Sequence, residues 1–336
     1  MKQLLMIFLL LIFVIIFPLN ILQLPDNSVL NTKSALREFI HDQELIPHED
    51  TEPAKNINVG KIKMGMSKQS VDQILGKPHM QLLNEYQQYW TIYHRNYNDF
   101  MLVMFQNGKV SGVYSNQNMI VTHKGVQYGM TRSTVEKKMG QPLKVFNGKN
   151  YNLTLDNQEQ VIYQASAYYI TIYYDRFKNN TVSGIKVIQK NIDLNKANHY
   201  PNPNENLKKD YARLHFELTN ATRKMFAKPI LKYHNVIAVV AERHAEDMAK
   251  HLYFSHKNQQ KETPFDRFKK ANLDYVAAGE NIAYGQVSPI EAHHGLMNSA
   301  GHRKNILMQD YKSLGVGIAF NNNNQPYYVE NYISEN

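Results

Sequence analysis

The sequence predicts an α+β protein built as two folded units behind an amino-terminal hydrophobic segment. Three observations carry that expectation. A short-helix signal followed by alternating aromatic runs occurs twice between residues 57 and 190. A helical apolar stripe passes through Ala238, Ala241, Ala245, Met248, Ala249 and Leu252. Two strand patterns, Gly315 to Phe320 and Tyr327 to Ile333, end the chain across an Asn-rich turn. At 336 residues the chain exceeds one typical domain, for which about 150 residues suffice. Its 43% hydrophobic and 20% charged residues are enough to bury real cores and exclude a disordered chain.

Taken in order, Met1-Lys2-Gln3 precedes an apolar run from Leu4 to Phe17 that extends through Pro18, Leu19 and Asn20 to Ile21 and Leu22. The clean run matches a signal-peptide core, and counting to Leu22 approaches the roughly 20 residues that span hydrocarbon. No small-residue cleavage site follows, because the next residues are Gln23-Leu24-Pro25-Asp26. An uncleaved single anchor over 1–22, with the remainder extracellular, is therefore favoured over a removed signal that would leave a secreted protein. Residues 23–56 carry Pro25, Pro47, Pro53 and the polar run His48 to Glu52, and read as a tether with one short helix around Ser34 to Gln43.

Within 57–190, Gly65-Met66-Ser67, Val71, Leu75-Gly76 and Pro78 recur 64 residues later as Gly129-Met130-Thr131, Val135, Met139-Gly140 and Pro142. In each copy Ser67 or Thr131 is an N-cap, the apolar positions lie four apart, and Gly then Pro stops the helix. Strand patterns follow at Tyr89–Tyr93, Phe100–Phe105 and Val110–Tyr114, then at Tyr168–Tyr174 and Val182–Val187. Asn107-Gly108 sits where a tight hairpin needs positive φ. Tyr86, Tyr89, Trp90 and Tyr93 either form a sugar- or peptide-binding face or pack the sheet onto its helix, and alternation favours packing. No catalytic constellation occurs in this unit. A second linker, 191–206, contains Asn202-Pro203-Asn204.

The charge of +9 divides evenly, with 17 basic against 13 acidic residues over 207–336 and 21 against 16 over 1–206. Without a basic block or basic-aromatic stripe, nucleic acid is excluded as a partner. A diffuse positive surface suits loose contact with anionic polymers or lipid headgroups.

In the carboxy-terminal unit, 207–336, His256, Glu280 and His302 are too far apart to share a helix face, so a site made from them requires tertiary folding. Imidazole and carboxylate are ligand types for a divalent ion such as Zn2+, and equally a general base with its orienting partner. His244 and His251 flank the helical stripe and read as half-exposed. His293 and His294 follow a Ser288-Pro289 helix start and diverge by about 100°, so at most one can face a given site as a further ligand. Thr263-Pro264-Phe265-Asp266-Arg267 reads as a capped helix start with Phe265 buried. No Ser or Cys stands in a nucleophile motif.

The wording around these residues is more specific than the residues themselves. AERHAEDMAKHLYFSH (241–256), TPFDR (263–267), GENI (279–282), NSAGHRKNIL (298–307) and GVG (315–317) occur in the order in which they occur in bacterial CAP domains, the superfamily of cysteine-rich secretory proteins, antigens and pathogenesis-related proteins. Residues 207–336 resemble that family, and 57–190 resemble its CAP-associated amino-terminal domain. The resemblance implies an α-β-α sandwich with an open cleft into which His256, Glu280 and His302 project, with His256 and His302 as metal ligands if an ion is held. Many members carry a second acid shortly before the last histidine. Here that stretch is Leu296-Met297-Asn298-Ser299, Glu291 is the nearest carboxylate, and Leu296 replaces the usual Trp. The missing acid favours binding over hydrolysis.

Zero cysteines mean no disulfide framework, so the folds must hold by burial, and among relatives that are often disulfide-rich this points to a bacterial protein. Three functions follow. The first is a membrane-anchored extracellular protein whose cleft binds a cell-wall polymer, lipid or peptide. The second is a metal-dependent hydrolase using His256, Glu280 and His302. The third is a non-catalytic surface scaffold.

Overall fold

The computed structural model describes residues 58–59, 62–156 and 158–335. The expected anchor, the tether and the helix around Ser34 lie outside them. Among the described residues no helix is long and apolar enough to cross a membrane.

A two-residue hairpin, β1 (Asn58–Val59) and β2 (Ile62–Lys63), precedes α1 (Lys68–Leu75). Then come β3 (Met80–Leu83), β4 (Tyr89–Arg95), β5 (Asn98–Gln106) and β6 (Lys109–Ser115). A second pass brings α2 (Arg132–Met139), a hairpin of β7 (Val145–Asn147) and β8 (Asn152–Thr154), β9 (Gln160–Gln164), β10 (Tyr168–Asp175) and β11 (Thr181–Gln189). The two helices are built alike. Ser67 and Thr131 each accept the backbone N–H three residues on, and Gly76 and Gly140 end the helices at φ 88° and 86°, a left-handed setting where a side chain would be strained. Each helix start is tied to a strand by matching bonds: Val110 N–H donates to Met66 O at 2.8 Å, and Val182 N–H to Met130 O at 2.8 Å. Asn107 and Gly108 take φ of 51° and 71°, as the β5–β6 hairpin requires.

Where the sequence suggests a small sheet in each copy, the strands merge into one seven-stranded antiparallel sheet, β3-β4-β5-β6-β11-β10-β9. The join is β6 on β11, with Val113 opposite Val187. Joining the two hairpin sets pairs two edges that would otherwise stay open. One face, with Val103, Val113, Ile170 and Val187, packs on α1 and α2 through Val71 and Val135. Trp90 and Tyr93 are fully buried, whereas Tyr89 is exposed, so packing rather than a binding face accounts for this aromatic run.

The stretch read as a linker contains α3 (Lys190–Asn195). Asn204 caps α4 (Glu205–Met225), followed by β12 (Lys232–Tyr233), α5 (Asn235–His251), α6 (Pro264–Lys270), β13 (Ala277–Tyr284), α7 (Pro289–Met297), α8 (Ala300–Leu307), β14 (Ser313–Phe320) and β15 (Pro326–Ser334). A four-stranded sheet, β12-β14-β15-β13, forms the middle layer. Alternation divides its faces. Leu314, Val316, Ile318, Tyr328 and Tyr332 pack on α4, α7 and α8. Ile282, Ala319, Tyr327 and Val329 pack on Ala241, Ala245 and Met248 of α5. Gly317 permits the close approach of α5, because a Cβ there would overlap the backbone of Glu242. Leu252, expected in the stripe, is instead the exposed left-handed cap of α5.

The two modules share a core. Trp90, Ile92, Leu102, Tyr114 and Tyr173 of the seven-stranded sheet pack against Leu214, Leu218 and Ala221 of α4 and Ile290 of α7. Arg303 closes the seam by pairing both guanidinium nitrogens with Asp175 at 2.9 and 3.1 Å. All described residues belong to one compact unit.

Candidate functional site

Glu280 lies on β13 on the α5 side of the sheet, the face that also carries Ile282. Its side chain is 1% exposed, and both oxygens are engaged. Oε1 accepts from His256 Nδ1–H at 2.9 Å, and Oε2 accepts from Arg267 Nη2 at 2.6 Å. Arg267 also donates through Nη1 to the carbonyls of His256 (3.0 Å) and Glu262 (3.1 Å), holding the S-H loop against α6. The capping box of Thr263 and Asp266 starts α6, and this start places Arg267 one turn inside. Phe265, expected inside, is 49% exposed, because the buried face of this short helix is taken by Arg267 and Phe268.

Because an ionised carboxylate only accepts, His256 keeps its proton on Nδ1 and leaves Nε2 free. The His256 side chain is 48% exposed, so that nitrogen belongs to the open side of the site. His302, on α8, is half-buried. Burial lowers its pKa, Glu330 opposes this, and the neighbouring His256 adds to it, so the imidazole is held toward its neutral form. Asn281 Nδ2 donates to His302 O at 3.1 Å, and Asn305 Nδ2 bonds Asn281 Oδ1 at 2.9 Å, which stitches α8 onto β13. The structure thus joins His256 directly to Glu280 and places His302 where it senses His256.

The three do not make a compact ligand set. Among the described residues, the groups offering three ligand atoms within 4.8 Å of one another are His79-His94-Glu217 and His215-His293-Glu330. Glu280 has both oxygens committed. The arrangement fits a carboxylate-oriented imidazole with a second imidazole nearby better than a closed zinc cage. Glu291, the nearest substitute for the missing acid, lies 3.8 Å from Lys186 and faces the module seam.

One histidine behaves differently from the sequence expectation. His244 is buried, with Nε2 bonded to Ser255 O at 2.9 Å, so it buttresses the loop that carries His256. His293 and His294 are both buried and diverge as expected, His294 to Tyr114 OH (2.9 Å) and His293 to Thr222 Oγ1 (2.7 Å), and neither faces Glu280. The residues that sequence reasoning missed are Arg267, hidden in a packing motif, and the buried His215–Glu330 pair at 2.8 Å. Period-two alternation of Glu330 with Tyr328 and Tyr332 was the available signal, since it puts an acid on an inward face.

A CAP sandwich carrying this histidine–glutamate pair, joined to a two-helix, seven-stranded module, defines the class of protein. Residues 216–332 match the cysteine-rich secretory protein family, and residues 64–200 match the CAP-associated N-terminal domain. The chain is a bacterial CAP-domain protein with a CAP-associated amino-terminal domain. It is similar to the uncharacterized membrane protein YlbC of Bacillus subtilis, at 26% identity over 86% of this chain and 88% of that protein. It is also similar to the uncharacterized protein YkwD of the same organism, at 39% identity over 32% of this chain and 42% of that protein. Its fold matches an extracellular SCP-domain protein of Bacillus anthracis, with TM-score 0.70 and 23% identity over 87% of this chain and 99% of that one. A cysteine-rich secretory protein of Staphylococcus aureus gives TM-score 0.66 and 16% identity over 84% and 95%.

Proposed function

We propose that this is an extracellular, membrane-anchored CAP protein whose cleft, centred on His256, Glu280 and His302, binds a polar group of an envelope ligand such as a wall fragment, lipid headgroup or peptide. The observation that carries the reading is the Arg267–Glu280–His256 chain. It holds an imidazole by a buried carboxylate and leaves its free nitrogen on the exposed side. The anchor assignment rests on the apolar run from Leu4 to Leu22, and the membrane naming of YlbC supports it. The matching caps and strand ties of α1 and α2 support a duplication within the first module, which serves as a docking platform.

A second reading, hydrolysis with His256 as general base, is favoured by the same carboxylate–imidazole pair. Zinc on His256 and His302 would be a weak, two-imidazole association with Glu280 as orienting partner rather than ligand. It would supply a polarised water.

The test is a screen of wall fragments, anionic lipid vesicles and peptides against the full chain, with His256→Ala as control. Saturable binding that falls at least tenfold in the variant is the expected result. Turnover lost in the variant selects hydrolysis instead. Binding or turnover indifferent to His256 would sink both readings. Calorimetry with zinc should show a weak uptake phase that is lost in His302→Ala, and absence of that phase would remove the ion from the cleft.

A further inference from the structure

On the opposite face of the sheet from Glu280 lies a second acid–imidazole cluster that plays no part in the cleft. His215 from α4, His293 from α7 and Glu330 from β15 are all essentially inaccessible to solvent, and one ligand atom from each lies within 4.8 Å of the others. The set of two imidazoles and a carboxylate is the one that holds zinc in His2Glu sites, where a fourth position stays open.

The surroundings have the form of a built coordination sphere. Glu330 Oε2 accepts from Asn281 Nδ2 and Tyr332 OH, each at 2.8 Å, and Oε1 accepts from Thr219 Oγ1 at 3.2 Å and His215 Nε2 at 2.8 Å. The carboxylate is therefore fixed in direction from three elements. His293 Nε2 meets Thr222 Oγ1 at 2.7 Å, and Asn116 Nδ2 of the first module donates to the same hydroxyl at 3.0 Å. With the Nε2 proton turned to Thr222, the remaining nitrogen, Nδ1, is a bare lone pair. It is buried and has no hydrogen-bond partner. A neutral imidazole whose free nitrogen is buried without a partner costs about 1–3 kcal/mol unless something occupies it. His293 and Thr222 also line a small cavity of about 30 Å³ at the module seam, together with Asn116 and Ser183.

We propose that His215, His293 and Glu330 form a buried divalent-metal site, with Zn2+ as the fitting ion, that is separate from the cleft. The ion takes His293 Nδ1, Glu330 Oε1 and His215 Nε2, and the proton that His215 Nε2 now gives to Glu330 moves to its own Nδ1, so that a neutral imidazole binds. Binding requires the His215–Glu330 gap to open by a few tenths of an ångström, since zinc–ligand bonds of about 2.0–2.2 Å set ligand atoms farther apart than a hydrogen bond does. Thr222 and Asn281 then act as the outer shell that fixes ring and carboxylate orientation. The site would tie two helices to the sheet in a chain that has no cysteine to do so. The second histidine–acid group, His79-His94-Glu217, is a poorer candidate. There His79 is exposed, and Tyr97 N–H already occupies His94 Nδ1.

The experiment is cobalt and zinc titration of the chelator-treated full chain, read by the visible absorption of tetrahedral Co(II) and by metal retained after gel filtration. One retained equivalent that persists in the His256→Ala/His302→Ala double variant and is lost in Glu330→Gln and in His293→Gln is expected. Thermal melting should show wild type stabilised by zinc and Glu330→Gln unmoved by it, with far-ultraviolet circular dichroism confirming that the variant is folded. If Glu330→Gln does not fold, His293→Gln decides alone. Failure of wild type to retain any equivalent, retention unaffected by both buried-site variants, or its loss in the cleft double variant would overturn the proposal. The last outcome would leave the cleft reading intact.

Discussion

Glu280 and Glu330 stand almost side by side on paired strands, with Glu280 opposite Asn331 and Asn281 opposite Glu330, yet they face opposite sides of the sheet. Each meets a histidine, at 2.9 Å for His256 and 2.8 Å for His215. The partners differ in what covers them. His256 sits on a loop with nearly half its side chain in solvent, whereas His215 is enclosed by α4, α7 and the sheet. One pair presents a free nitrogen to the outside, and the other turns every group inward. The same two functional groups thus give a half-exposed imidazole on one face and a fully buried one on the other, and the overlying layer makes the difference.

The largest test breaks the inward pair. Glu330→Ala should cost about 3–5 kcal/mol in chemical denaturation, because four donors lose their acceptor in a dry core. A loss below about 1 kcal/mol would show that the cluster contributes no stability. Removing the brace on the outward pair comes next. Arg267→Ala should cost about 2–3 kcal/mol, since Glu280 stays buried with half its partners gone and the His256 loop loses two carbonyl bonds. Equal stability of this variant and wild type would contradict the bracing role.

A third acid–imidazole contact, His94 near Glu217 at 3.8 Å, sharpens the comparison at the module seam. Burial, with help from His79 and Arg213, lowers the His94 pKa from 6.5 to about 4. The unfolded chain therefore binds the proton first. The stability this neutral ring contributes is complete above about pH 6.5 and is lost as pH falls toward about 4, by roughly 1–2 kcal/mol after allowance for solvent at its edge. His94→Gln should flatten that part of the stability–pH curve, and an unchanged slope would count against it. The smallest effect is expected from His256→Ala, which should cost about 1 kcal/mol, because Glu280 Oε1 loses its donor but the ring is half in water and solvent can take its place. A large melting shift would show that His256 is structural rather than ligand-facing.

Much of the architecture was legible in advance. The helix starts at Ser67, Thr131 and Thr263 follow from side chains that cap backbone N–H groups, and the hairpin at Asn107-Gly108 follows from residues that tolerate positive φ. Such signals are local, so the chain states them directly. The His256–Glu280 contact was legible only through the motif words around it, because nothing in a 24-residue separation says that a loop will return to a strand.

The sequence by itself determined the capped helix starts, the positive-φ hairpin turn, the period that marks most inward positions and, through its motifs, the family of the carboxy-terminal unit. Tertiary structure alone decided that the two strand sets merge into one sheet, that Phe265 faces out while His244 faces in, and that His215, His293 and Glu330 converge. The physical reason is that local pattern specifies whether a side chain points inward. What it meets there depends on how separate layers pack, and layer packing is fixed by the whole set of buried surfaces rather than by any one segment.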